Sequence, residues 1–168
     1  MFKPDDFDDY FSFRLLSLQQ APHMFASDAQ SWQAASPQAL EQHLLNSQSR
    51  KAPILGVWQD DKVIALTGLN RSFQPTVAHK ATLWGLFVSA AHRRQGVATQ
   101  LLAFAMKTAQ ELGSVRQLRA VVNATSQEAI GLFEKVGFKR FGLEPRAKLV
   151  DGTFHDQIYF WCPLNDGL

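Results

Sequence analysis

Cysteine is almost absent from this 168-residue chain: Cys162 stands alone, so no internal disulfide and no cysteine metal cluster is expected. That thiol sits in an apolar run and reads as a buried, inert one. No stretch of about 18 apolar residues is present to span a membrane as a helix. The opening Met1-Phe2-Lys3-Pro4-Asp5-Asp6 has no apolar signal-peptide region, so a cytoplasmic protein is the simplest expectation. Charge of one sign is also lacking. The formal net charge is +2, which rules in no particular partner. Internal repeats, low-complexity tracts and linkers are missing, and nothing in the histidine spacing suggests a metal. What is present is apolar: hydrophobic residues make up 46%, including 13 Phe and 4 Trp, enough for the core of one domain.

Charge is uneven along the chain. Asp5, Asp6, Asp8 and Asp9 cluster near the start, whereas residues 93–148 hold ten Lys/Arg against four Asp/Glu. A local positive field of this kind suits an anionic ligand. The segment is too mixed with Ala, Leu and Phe to be a nucleic-acid arm.

Periodicity places the elements. Phe7, Tyr10, Phe11, Arg14, Leu15 and Leu18 recur at helical spacing after the Pro4-Asp5-Asp6 start, and Ala21-Pro22 stops that helix. Trp32 lies in a short helical piece, and Ser36-Pro37 opens another with the stripe Leu40, Leu44, Leu45. Strands follow at Ile54–Gln59 and Val63–Leu69 around an Asp60-Asp61-Lys62 turn, with Gly68 expected to kink the second arm, and again at Ala81–Val88. Val97, Leu101, Leu102, Ala105, Ala109 and Leu112 mark a helix from about Arg94 to Leu112, stopped by Gly113. Leu118–Val122 is a strand, Ala129–Val136 a helix closed by Gly137, and Phe138–Leu149 with Thr153–Trp161 a hairpin around Asp151-Gly152. This order predicts an α/β mixed sheet with helices on its faces.

The connection His92-Arg93-Arg94-Gln95-Gly96-Val97-Ala98-Thr99 leads from a strand into a helix. A helix N-terminus carries backbone N–H groups without helical partners, and with the helix dipole these make an anion site. Gly96 permits close backbone approach, and Arg93 and Arg94 add donors and charge. The turn has neither the Gly-Lys-Ser/Thr of a P-loop nor a Gly-x-Gly-x-x-Gly pattern, which disfavours nucleotide hydrolysis and a dinucleotide fold.

Arg93-x-x-Gly96-x-Ala98 resembles the Gln/Arg-x-x-Gly-x-Gly/Ala turn of the GNAT acetyltransferases. About thirty residues on, Val122-Asn123-Ala124-Thr125-Ser126 through Glu134-Lys135-Val136-Gly137-Phe138 is similar to that family's second motif. The likeness covers roughly residues 54–162, the acetyl-CoA-binding part of a single domain over 1–168. The helices of residues 1–50 fall in the family's variable acceptor region. The resemblance implies a mostly antiparallel sheet of about seven strands with splayed central strands. It also implies that acetyl-CoA lies in the gap, its pyrophosphate on Arg93, Arg94, Gln95, Gly96, Val97, Ala98 and Thr99. Leu86, Phe87 and Val88 would offer main-chain groups to the pantetheine arm and the thioester carbonyl, and Ser126 and Phe133 would complete the site. Ser126 stands where the family usually has Asn, and Phe133 where it often has the Tyr that protonates the departing thiolate. The implied partner is an amine-bearing small molecule or peptide. Family members are often homodimers, but no feature of the sequence sets the oligomeric state.

Candidate groups for the chemistry are few. The strand Ala81–Val88 holds no carboxylate. In a two-residue hairpin at Asp151-Gly152, Ala147 would face Asp156, leaving Asp156 the one ionisable group on the apolar face and a candidate general base. The same position suits a structural carboxylate. Glu144, across from Tyr159 on the polar face, is a candidate for binding a cationic substrate. Three readings stay open: an N-acetyltransferase acting on a primary amine by direct attack in a ternary complex, a catalytically silent acyl-CoA-binding or sensor domain, and a phosphate-binding module of another type with no preference for CoA over other nucleotides.

Overall fold

A computed structural model describes residues 1–48, 52–72 and 74–164. Three helices come first: α1 (Phe7–Gln20), α2 (Ala29–Ala34) and α3 (Pro37–Gln48). Two of these starts are capped by a side chain. The Asp28 carboxylate accepts from Ser31 N–H at 2.7 Å to open α2, and Ser36 Oγ accepts from Ala39 N–H at 3.2 Å to open α3. Strands β1 (Ile54–Gln59), β2 (Lys62–Arg71) and β3 (Lys80–Val88) form an antiparallel meander, followed by α4 (Val97–Glu111), β4 (Gln117–Asn123), α5 (Gln127–Lys135), β5 (Lys139–Val150) and β6 (Thr153–Pro163).

The six strands lie in the order β1-β2-β3-β4-β6-β5. The fold is the expected mixed sheet, with six strands among the described residues rather than about seven. Only the β3–β4 contact is parallel. Both tight hairpins take the turns their residues favour, with positive φ at Asp60 and Asp61 and at Asp151 and Gly152. Six consecutive residues of β2, from Ile64 to Leu69, are buried because helices cover both faces of the sheet there. On one face α4 and α5 set Leu101, Leu102, Ala105 and Ile130 against Leu55, Leu118, Val122 and Phe160. On the other, α1 and α3 set Tyr10, Phe13 and Leu44 against Ile54, Leu66 and Phe87. Each large side chain fully buried in these two layers stabilises the fold by roughly 1.5–3 kcal/mol.

Gly68 acts differently from a simple kink. The register of β2 against β3 shifts between Leu66 and Gly68, and the residue that bends is Gly85 of β3, at φ +69°. Gly68 is bare because the Trp84 indole lies on it. A Cβ there would stand 2.1 Å from Trp84 Cε2.

The sheet parts in its middle. β3 and β4 pair only over Lys80–Thr82 with Gln117–Arg119. Beyond Thr82, β3 continues six residues to Val88 with no partner on that side, and β4 runs on to Asn123 bonded only to β6. The unpaired edges face each other across a gap. No helix of the described residues is long and apolar enough to cross a membrane.

Candidate active site

The turn below the gap is held from three sides. Ser89 N–H donates to Ile64 O at 2.9 Å, fixing the end of β3 to β2. The Ser89 hydroxyl and His92 Nδ1 lie 2.7 Å apart. Arg93 Nε donates to Val88 O at 3.1 Å, and its guanidinium lies 5.5 Å from the centre of the Phe87 ring. The chain then takes two left-handed steps, Arg94 at φ 62° and Gly96 at φ 82°. For arginine this conformation is uncommon, and it costs roughly 1–2 kcal/mol. What it gains is aim: the chain enters α4 with no side chain capping its N-terminus. The first bond inside the helix is Gln100 N–H to Gly96 O at 3.1 Å, so the N–H groups of Val97, Ala98 and Thr99 have no helical acceptor.

Those groups open into a cavity of about 640 Å³, a size typical of ligand sites. Leu86, Phe87, Val88, Arg93, Arg94, Gly96, Val97, Ala98, Thr99 and Ser126 all line it, so one space gathers ten of the residues singled out from sequence. Gln95 does not line it. Its amide turns back to donate to Ala91 O at 3.0 Å. A smaller cavity of about 70 Å³ fills the gap between the parted strands, lined by Trp84–Leu86, Val121–Asn123 and Phe133. Leu86, Ala129, Met24 and Phe25 border both spaces. Phe133 is 4% exposed and its ring stacks on Phe160, 5.8 Å between centroids, so most of it is core.

The other candidates lie outside both cavities. Residues Pro145, Arg146 and Ala147 together oppose Asp156 alone, because the register slips between Glu144 and Lys148. Pro145 has no N–H to give the ladder, and the chain bulges there, with Arg146 at φ 54°. The Arg146 N–H freed by the bulge donates to Asp156 Oδ1 at 2.7 Å. Asp156 is only half-buried, so the apolar setting expected for it is not formed. Asp156→Ala is therefore expected to cost about 1–2 kcal/mol through the lost charge-assisted bond, read by urea denaturation, while turnover changes less than threefold.

The same bulge re-pairs Glu144 with Gln157 and leaves Tyr159 opposite Gly142, so the expected Glu144–Tyr159 facing pair is diagonal. The two side chains still meet, the Tyr159 hydroxyl donating to Glu144 Oε2. That bond holds the Tyr159 pKa above its ordinary value.

Sequence reasoning missed the residues that tie the bend after α1 to the sheet. Asn123, 1% exposed, donates from Nδ2 to His23 O at 3.2 Å. Its Oδ1 accepts from Thr125 N–H at 2.9 Å and Thr125 Oγ at 2.7 Å. Lys148 Nζ donates to the same His23 carbonyl at 3.1 Å, and burial lowers the Lys148 pKa. The His23 ring stacks on His155 at 5.8 Å. The bend after α1 is thus tied to β4 and β5, and it places His23, Met24 and Phe25 in the wall of the larger cavity.

A sheet parted over an uncapped, basic helix N-terminus is the architecture of acyltransferases that use coenzyme A thioesters. The chain belongs to the Acetyltransferase (GNAT) family, whose model matches residues 14–138. A curated Bacillus subtilis (strain 168) relative, YwnH, named as a candidate phosphinothricin acetyltransferase, is 35% identical over 71 residues. That match covers 42% of this chain and less than half, 43%, of the relative's length. Among solved structures, a GNAT-family acetyltransferase from Streptococcus pneumoniae superposes with a TM-score of 0.86 at 20% identity, over 98% of this chain and 96% of that one. The candidate acetyltransferase yncA from Salmonella typhimurium, solved with its cofactor acetyl-CoA, gives 0.84 at 15% identity over 99% and 93%. At these identities the likeness is one of fold.

Proposed function

We propose that the chain is an N-acetyltransferase that moves an acetyl group from acetyl-CoA to a primary amine of a small molecule or peptide, by direct attack within a ternary complex. The observation that carries this reading is that the cavity at the turn Arg93–Thr99 adjoins the one in the β3–β4 gap, the two sharing Leu86, Ala129, Met24 and Phe25 in their walls. The residues present suit the cofactor. Its diphosphate matches the N–H groups of residues 97–99 with Arg93 and Arg94 beside them. Its pantetheine arm, which needs strand-like hydrogen bonding, matches the free edge of β3 at Leu86–Val88. The whole chain would act as one domain, with residues 54–162 on the cofactor side and residues 1–50 on the acceptor side.

When bound, acetyl-CoA supplies a thioester whose carbonyl carbon the amine attacks. The chain's own part is placement and charge. A β3 N–H directed at the acyl oxygen stabilises the charge that develops there. Leu86, Phe87 and Ala129 keep water from the reacting centre. Phe133 has no proton to give, so the departing thiolate would take its proton from water or another side chain, or leave without one. A thiol pKa of roughly 8–9 makes that tolerable near neutral pH. Ser126, beside the cavity at the start of α5, has a hydroxyl that can donate or accept. The test is thiol release from acetyl-CoA in the presence of a panel of primary amines. Amine-dependent release is the expected result. Tight CoA binding with no release from any amine would favour the silent acyl-CoA-binding alternative, which Phe133 keeps in play.

A further inference from the structure

The helical layer contains a cation without an anion. Arg14 of α1 is 5% exposed, and among the described residues no carboxylate pairs with it. Among the described residues its one side-chain hydrogen bond is from Nη1 to Ser17 Oγ at 3.4 Å, which is long. The guanidinium instead lies between two aromatic rings, 4.6 Å from the centre of Phe25 and 5.6 Å from Trp84. A guanidinium has five N–H donors, and a buried charge is costly unless it is paired. One turn earlier on the same helix face stands Tyr10, fully buried, whose hydroxyl has no hydrogen-bond partner. The His43 ring stacks on Tyr10 at 6.3 Å and packs 5.7 Å from Trp84. Burial lowers the pKa of Arg14 and of His43, and for His43 the Arg14 charge lowers it further. Among the described residues no packed element brings an acid to offset this.

The place of the cluster matters as much as its chemistry. Arg14 Nη1 lies against the bend at Gly85, 3.4 Å from where a Cβ would stand. Trp84, Gly85 and Phe25, which surround the guanidinium, also form the wall of the small cavity between the parted strands. The cation is therefore one aromatic layer behind the gap.

We infer that the acceptor carries an anionic group, a carboxylate or similar oxyanion, which Arg14 and the Tyr10 hydroxyl receive while the acceptor's amine projects into the β3–β4 gap. The inference rests on the acyl-transfer reading and gives its acceptor a chemical class. Arg14 supplies a planar fork that fits two oxygens, and Tyr10 supplies a third donor. An acceptor without the anion would leave all of these buried donors unanswered, which is the arrangement that discriminates most strongly between related substrates.

The experiment compares α-amino acids with the amines left when each is decarboxylated. At least one acid should be acetylated with a kcat/KM more than tenfold above its decarboxylated partner. Arg14→Gln should bring that ratio close to one at unchanged CoA affinity. Tyr10→Phe, which deletes one hydroxyl, should cut the ratio several-fold without lowering the melting temperature, since the hydroxyl bonds nothing in the ligand-free fold. A second readout needs no turnover. The His43 ring titration, followed by NMR, should move to higher pH when an acid binds beside Arg14, and should stay put with the decarboxylated partner. Equal use of both members of every pair, a preference that survives Arg14→Gln, or a His43 titration unmoved by every acid would each overturn the inference. A His43 shift without acetylation would strike the acyl-transfer reading and leave the anion site standing.

Discussion

Gly96→Trp is expected to abolish measurable CoA binding, with a loss of affinity of at least a hundredfold, about 2.7 kcal/mol. Two effects add. Gly96 sits at φ 82°, ψ −4° as the residue that opens α4, and an L-residue there carries roughly 1–2 kcal/mol of strain. The indole would also cover the N–H groups of residues 97–99, which the diphosphate must reach. Space alone does not forbid a side chain, since an added Cβ would meet only Gln100 Nε2, at 3.9 Å. The fold should therefore persist with a melting point a few degrees lower. Gly131→Ala is the matched control. It lies mid-helix in α5 with nothing within 4 Å of the new Cβ. It should raise stability by up to about 1 kcal/mol through helix propensity and leave CoA affinity unchanged. Isothermal titration with CoA separates the two outcomes.

Asn123→Ala is the second large effect. The side chain is buried and makes three hydrogen bonds, one to His23 O and two from Thr125. Removing it deletes three hydrogen bonds from a buried site, at a cost of about 2–4 kcal/mol. The loss should fall unevenly on function. The bend at Pro22–Met24 would keep the Lys148 bond to His23 O and the His23–His155 stacking, so the cavity wall at His23–Phe25 loosens while the turn at Arg93–Thr99, held by Ser89 and Arg93, stays. The acceptor KM should rise about tenfold or more while CoA affinity changes less than threefold. Urea denaturation and steady-state kinetics give the two numbers separately.

Local chemistry made much of the fold legible. Asp60-Asp61 and Asp151-Gly152 named their turns, Gly113 and Gly137 named their helix ends, and the stripe on α4 lies on the buried face assigned to it. The turn at Arg93–Thr99 was legible as a strand–helix junction with an uncapped helix start, although a basic glycine turn taken alone also suits an ordinary exposed connection. What stayed hidden needs distance to form. The gap between β3 and β4 came from the family likeness, since no residue pattern in either strand says where pairing stops. Asn123 and His23 meet across 100 residues. The bulge opposite Asp156 did have a local signal in Pro145, which cannot serve the ladder, yet straight hairpin counting carried the register past it. Arg14 also left a trace, as a charged residue within the apolar spacing of α1. Only the packing of Phe25 and Trp84 around it turns that trace into a buried cation.

The most direct test of the central claim is a crystal structure with CoA bound. The diphosphate should lie within hydrogen-bond distance of the main-chain N–H groups of residues 97–99, with the pantetheine arm along Leu86–Val88 between β3 and β4. A diphosphate held elsewhere, or β3 and β4 paired along their full length with the arm excluded, would contradict it.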